Sequence, residues 1–261
     1  YQIPLVADGR FSGLIFFIIS AIYTINYMTS KKETYIRRVP AIDAIEEGIG
    51  RATELGKSVF VSPGMSPRGI DTSTAAGLSM LSFASRLSAR NDLELFVPLG
   101  GSTESYTTME LARDIVETQF RLEGKTDQYD ADNLPFLSGR QFAWASAYTG
   151  MMLREKPATN IMVGVQYASA VYISEVAHEV GAMVISGTTY LSNVACLAAS
   201  SDYVMIGEEM LAAGAYLSKD PGQLATIRTQ DIMKFILIGI LVLGVIAVSF
   251  GSQLIIELLN S

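Results

Sequence analysis

Two concentrated apolar runs of this chain, both without a charged side chain, restrict its architecture more than any other feature. Phe11–Ser30 reads FSGLIFFIISAIYTINYMTS and Phe235–Ile256 reads FILIGILVLGVIAVSFGSQLII. Each is close to the ~20 residues that a helix needs to cross a bilayer. A single domain has no means of hiding a helix that is apolar on every face over such a length. Both runs are therefore expected to be transmembrane helices, one on each side of the remaining chain. Hydrophobic residues make up 49% of the 261 positions and charged residues only 17%, a balance that two such runs explain. Only Arg10 stands just before the first run, and Lys31, Lys32 and Glu33 follow it. That is neither the basic lead nor the small-residue cleavage site of a signal peptide, so the run reads as an anchor.

Lys and Arg near the ends of membrane helices set their orientation, with the positive side in the cytoplasm. Lys31, Lys32, Arg37, Arg38, Arg228 and Lys234 lie between the two runs, and Arg10 lies outside them. The expectation is a two-pass protein of the cell membrane with residues 31–234 cytoplasmic and both termini outside. Three parts follow: 1–30 with the first helix, a cytoplasmic α/β domain over 31–220, and a juxtamembrane and membrane helix over 221–261. Cys196 is the one cysteine, so no internal disulfide is possible, in keeping with a reducing compartment. The net charge of -7 excludes nucleic acid as the expected partner.

Between the anchors, short apolar runs alternate with helical patterns, which is the signature of a parallel sheet. The expected strands are Ser58–Pro63, Leu93–Leu99, Asn160–Tyr167, Ala182–Thr188 and Asp202–Gly207. Their continuous apolar character predicts burial on both faces. Helices are expected over Ala41–Leu55, where Ile42, Ile45, Ile49 and Ala52 share one face, over Asp71–Ala89, Thr107–Arg121, Arg140–Glu155 and Val171–Val180. The result is a Rossmann-like, doubly wound, mainly parallel five-stranded sheet. From Asp220, an N-cap followed by Pro221 at the first helical position, one helix should run into the membrane.

Ligands of open parallel sheets bind beyond the carboxyl ends of the strands. The loops there read PGMSPRGIDTST, GGSTES, GTTYLSN and GEE. They supply the candidate ligand-binding residues Arg68, Asp71, Thr72, Gly101, Ser102, Thr103, Thr188, Thr189 and Glu208. Backbone N–H groups, hydroxyls and Arg68 together could hold a small anion at a helix N-terminus. Turns and helix caps require the same Gly, Ser and Thr without any ligand. Glu208 and Glu209, with Glu104 or Asp71, are the acid/base candidates, although carboxylates in a first helical turn also suit the helix dipole. Neither G-x-G-x-x-G nor G-x-x-x-x-G-K-[ST] occurs where a nucleotide would need it, so no cofactor is expected. His178, the one histidine, cannot build a metal site with one distant cysteine; it reads as a half-buried helix residue.

Four phrases, Ala44–Gly64 (AIEEGIGRATELGKSVFVSPG), Met152–Gly164, Gly181–Thr188 and Asp202–Pro221 (DYVMIGEEMLAAGAYLSKDP), resemble a family of prokaryotic membrane proteins defined by a domain of unknown function. The likeness covers most of the region between the anchors and is weaker over Gly69–Asn133 and the anchors themselves. It implies a membrane-associated α/β domain and carries over no catalytic residue. The leading expectation is a membrane-anchored, non-enzymatic module that self-associates as a scaffold or small-ligand-sensing platform, with the bilayer, its own copies and other membrane proteins as partners. The alternative is a membrane-bound enzyme or binding protein for a small polar or phosphorylated metabolite at the sheet edge.

Overall fold

The computed structural model describes residues 10–29, 39–65, 70–101, 106–165, 167–219 and 221–249. The chain forms two compact units, one of Ile36–Ser218 and one of Tyr1–Tyr35 with Lys219–Ser261.

The larger unit is an α/β domain. After helix α2 (Pro40–Leu55) come strand β1 (Val59–Gly64), α3 (Thr72–Arg90), the short β2 (Leu95–Phe96) and β3 (Leu99–Gly100), and α4 (Tyr106–Leu122). Two turns of 3-10 helix lead to β4 (Phe136–Ser138) and α5 (Gln141–Glu155). The remainder alternates strictly: β5 (Thr159–Val165), α6 (Ser169–Glu179), β6 (Met183–Thr188), α7 (Leu191–Ser200), β7 (Tyr203–Ile206) and α8 (Glu208–Ser218). Strands β2, β1, β5, β6 and β7 lie side by side in that order, every neighbouring pair parallel. The five strands expected around Val59, Phe96, Val163, Val184 and Val204 are all present.

Alternation along these strands builds a core on each face of the sheet. Val59, Val61, Ile161, Val163 and Ile185 pack with Ile42, Ile45 and Ile49 of α2, Met80 and Leu81 of α3, Val116 of α4 and Met210 of α8. Phe60, Met162 and Val184 point the other way, into Trp144, Tyr148 and Met152 of α5 and Ile173 and Ala177 of α6. Because β1, β5 and β6 are buried at every position, they read as unbroken apolar runs rather than as alternating ones. Helix α2 is fixed to the sheet by Thr159, whose hydroxyl donates to the Gly48 carbonyl at 2.8 Å. It ends at Gly56, whose φ of 61° closes the last turn.

One expected strand is broken. Leu93–Leu99 is not a single strand, because Pro98 has no N–H to continue a ladder. Only Leu95 and Phe96 pair with β1. Beyond them Val97 N donates to Asn133 O at 2.8 Å and Leu99 N to Pro135 O at 3.0 Å, and β3 pairs in parallel with β4. Trp144 Nε1 bonds the Pro98 carbonyl at 3.2 Å. His178 also departs from the expected half-buried position. It is exposed in the last turn of α6, 3.3 Å from Asp202 Oδ2, a carboxylate oxygen that also accepts from Val184 N at 2.7 Å.

The smaller unit contains α1 (Arg10–Thr29) and α9 (Pro221–Ser249). Their threonine hydroxyls, Thr24 Oγ1 and Thr229 Oγ1, lie 2.8 Å apart and join the two helices. The polar start of α9, with Arg228 and Asp231, runs without a break into its apolar end, as one helix. The expected cap Asp220 lies outside the described residues. Pro221–Ile246 is long and apolar enough to cross a membrane. Of the expected pair of spans, this one is shown. On the N-terminal side, among the described residues, an apolar helix covers Phe17–Tyr27.

Candidate functional site

Among the described strands, the order β2-β1-β5-β6-β7 reverses its winding direction between β1 and β5, the position where open α/β sheets form a ligand crevice. Met65 N donates to Val165 O at 2.9 Å, extending the pairing of β1 and β5 to the last residue of β5, and the Met65 side chain is buried. Helix α3 comes unusually close beneath this point. A Cβ on Gly77 would stand 2.6 Å from Val163 O and 3.0 Å from Pro63 O, and one on Gly164 would stand 2.1 Å from Pro63 O. The two glycines let α3, β1 and β5 meet backbone to backbone.

Beside the crevice, the first turn of α3 meets the loop after β6. Asp71 caps α3 in extended conformation, and its Oδ1 accepts from Thr74 N at 2.7 Å. Its Oδ2 accepts from the Tyr190 hydroxyl at 3.3 Å. The hydroxyls of Ser73 and Thr189 are hydrogen-bonded to each other. Thr188 is fully buried; its Oγ1 accepts from Tyr190 N at 3.1 Å and its carbonyl accepts from Gly207 N at 2.8 Å. Of the sequence candidates, Asp71, Thr188 and Thr189 are thus gathered into one cluster, with Ser73 and Tyr190 as members that sequence reasoning did not select. Both lie in the quoted loops, DTST and GTTYLSN, but only the strand order shows that those loops touch.

The other candidates are dispersed. Thr72 is exposed at the start of α3. Gly101 is buried next to the small sheet, its N–H 3.3 Å from Ser138 O. Glu208 and Glu209 open α8 beyond β7 and are exposed. Arg68, Ser102, Thr103 and Glu104 lie outside the described residues.

Chemically, the cluster works as a clasp. The carboxylate of Asp71 stands at the positive end of α3, the place an anion would otherwise take. The hydroxyls around it bond one another and the backbone, tying α3 to β6 across the crevice. A second buried polar contact lies within the core under α5. The Tyr148 hydroxyl donates to Asn160 Oδ1 at 2.5 Å, and complete burial raises its pKa far above that of an ordinary phenol. Among the described residues no group of three or more His, Cys, Asp or Glu is placed to hold a metal ion.

A family model described as a domain of unknown function (DUF6754) matches residues 8–259. No curated protein and no solved structure matches the chain.

Proposed function

The chain belongs to the DUF6754 family, and from that premise we propose that it is a membrane-anchored, non-enzymatic α/β module that works by self-association. The observation that carries the reading is the outer half of α9. Phe235 is 74% exposed, Leu241 66% and Val245 60%, an apolar surface on all sides that only lipid or other membrane helices satisfy. In this reading α1 crosses alongside α9, and the basic residues Lys31, Lys32, Arg37, Arg38, Arg228 and Lys234 hold the α/β unit on the cytoplasmic side.

Assembly is supported by the small residues along the same helix. Gly239, Gly244 and Ala247, followed in the sequence by Gly251, allow the close approach that drives helix packing in lipid. A Cβ on Gly239 would meet nothing within 4 Å, which leaves that face open for another chain. The scaffold role is further supported by the clasp at the sheet edge, where Asp71, Ser73 and Thr189 are engaged in holding the fold together.

Alkaline washing of membranes, followed by protease on sealed vesicles of each orientation, tests the reading. The chain should resist extraction, and protease should remove Ile36–Ser218 in inside-out vesicles alone. Release by alkali, or digestion of that unit in right-side-out vesicles, would overturn it.

A further inference from the structure

We infer that a second copy of this chain docks on the α7–β7 side of the α/β unit, sheet edge against sheet edge; the inference rests on the assembly reading above. The two edges of the sheet are finished differently. At one edge β2 has two residues, both buried, and the chain that follows it is tied down through Val97 and Leu99 to the segment Asn133–Pro135. At the other edge β7 pairs, among the described residues, with β6 alone, over four residues without a register shift. Tyr203 is 38% exposed and Ile206 41%. An edge strand offers a row of backbone donors and acceptors, and natural edges are usually blunted by Lys, Pro, a bulge or a covering segment. Between Tyr203 and Ile206, β7 has no Lys, no Pro and no bulge.

Helix α7 extends this surface. Its sequence, LSNVACLAAS, buries only Leu197 and Ser200, while Leu191, Ala195, Ala198 and Ala199 are exposed. No charged residue occurs from Tyr190 to Ser201.

Charge selects the partner. The chain carries a net -7, a balance that opposes association of copies through charged surfaces. A neutral face can meet its own copy across a two-fold axis without juxtaposing like charges, and a charged foreign partner would find no counter-charge there. Antiparallel pairing of two β7 strands centred on Val204 sets that residue opposite its own copy, Tyr203 opposite Met205 and Asp202 opposite Ile206. Asp202 and Glu208 then avoid directly facing themselves, the arrangement that would destabilise the pair. A two-fold axis that joins two sheets edge to edge stands perpendicular to them, so the two α7 helices fall on the same face and side by side. The exposed alanines of α7 permit that approach.

The test is the mass of the intact chain in gentle detergent, by light scattering. The wild type should hold at least two chains per particle. Ala198→Glu and Ala198→Lys, both at an exposed position, should each fall to one chain, and mixing the two variants should restore the wild-type mass, which a misfolded variant could not do. Leu122→Glu, at the exposed end of α4, should keep the wild-type mass. A multi-chain wild type whose mass survives Ala198→Glu would overturn the α7–β7 interface and leave the assembly reading standing, and this holds equally if that variant instead weakens contact of the unit with vesicles. A single-chain wild type would remove both.

Discussion

Gly77→Ala separates intrinsic helix preference from packing, because the two act in opposite directions. In an open helix, alanine in place of glycine stabilises by roughly 0.5–1 kcal/mol through lost backbone freedom in the unfolded chain. At Gly77 the added Cβ would lie 2.6 Å from Val163 O, 3.0 Å from Pro63 O and 3.2 Å from Pro63 Cα. Those atoms are backbone of the two central strands and cannot rotate aside as a side chain does. Helix α3 would have to back away, and such overpacking costs about 1–3 kcal/mol. Packing therefore outweighs propensity, for a net loss of about 1–2 kcal/mol. With a midpoint shift of roughly 2–4 °C per kcal/mol for a domain of this size, Tm should fall by about 2–8 °C. The internal control is Gly50→Ala on α2, exposed and with nothing within 4 Å of its added Cβ, where Tm should rise by about 1–4 °C. Thermal unfolding of the full chain in detergent, followed by near-ultraviolet circular dichroism, reads both. If Gly77→Ala stabilises as much as Gly50→Ala, the backbone contact of α3 with β1 and β5 is wrong.

Tyr148→Phe should cost about 1–3 kcal/mol by leaving Asn160 Oδ1 buried without its donor; the double variant with Asn160→Leu should recover most of that loss, and equal instability of the two would sink the account. Acid should destabilise the α/β unit within a defined window. Hydrogen bonds from Arg90 and Arg86 hold the Glu123 carboxyl below its ordinary pKa, and those from Lys125 and Gln128 do the same for Asp92. A folded-state pKa below the unfolded one gives stability that is complete above about pH 4–4.5 and lost as pH falls through the folded values. Tm should therefore be level from pH 7 to about pH 5 and drop below pH 4, with a shallower drop in Glu123→Gln; an identical acid limb in that variant would contradict the assignment.

How far the sequence revealed this fold depended on where the determining interactions lie. Strands β1, β5 and β6 were legible because a strand buried on both faces leaves an unbroken apolar run, as in VFVSP and NIMVGV, whereas β7, expected to be buried likewise, is half exposed at the sheet edge. The faces of α2 were legible from the three- and four-residue spacing of its isoleucines. Strand order was not, since it is set by which helix packs on which face, and the meeting of Asp71 and Ser73 with Thr189 and Tyr190 follows from that order alone. The break at Pro98 was written in the sequence, but the segment that receives the diverted strand, Asn133–Ser138, lies in a polar, turn-rich stretch with no strand pattern of its own. Asn160 was visible as one polar residue in an apolar run, yet its partner Tyr148 sits on a helix whose packing face only the tertiary structure selects.

The central claim is that an anchored α/β unit functions as an assembly in the membrane. Chains carrying one fluorophore each, captured from membranes into lipid particles without passing through free detergent, can be counted by their bleaching steps. The account predicts two or more steps in most particles, with the Ala198→Glu variant shifted to one. A wild-type population that bleaches in a single step would contradict it.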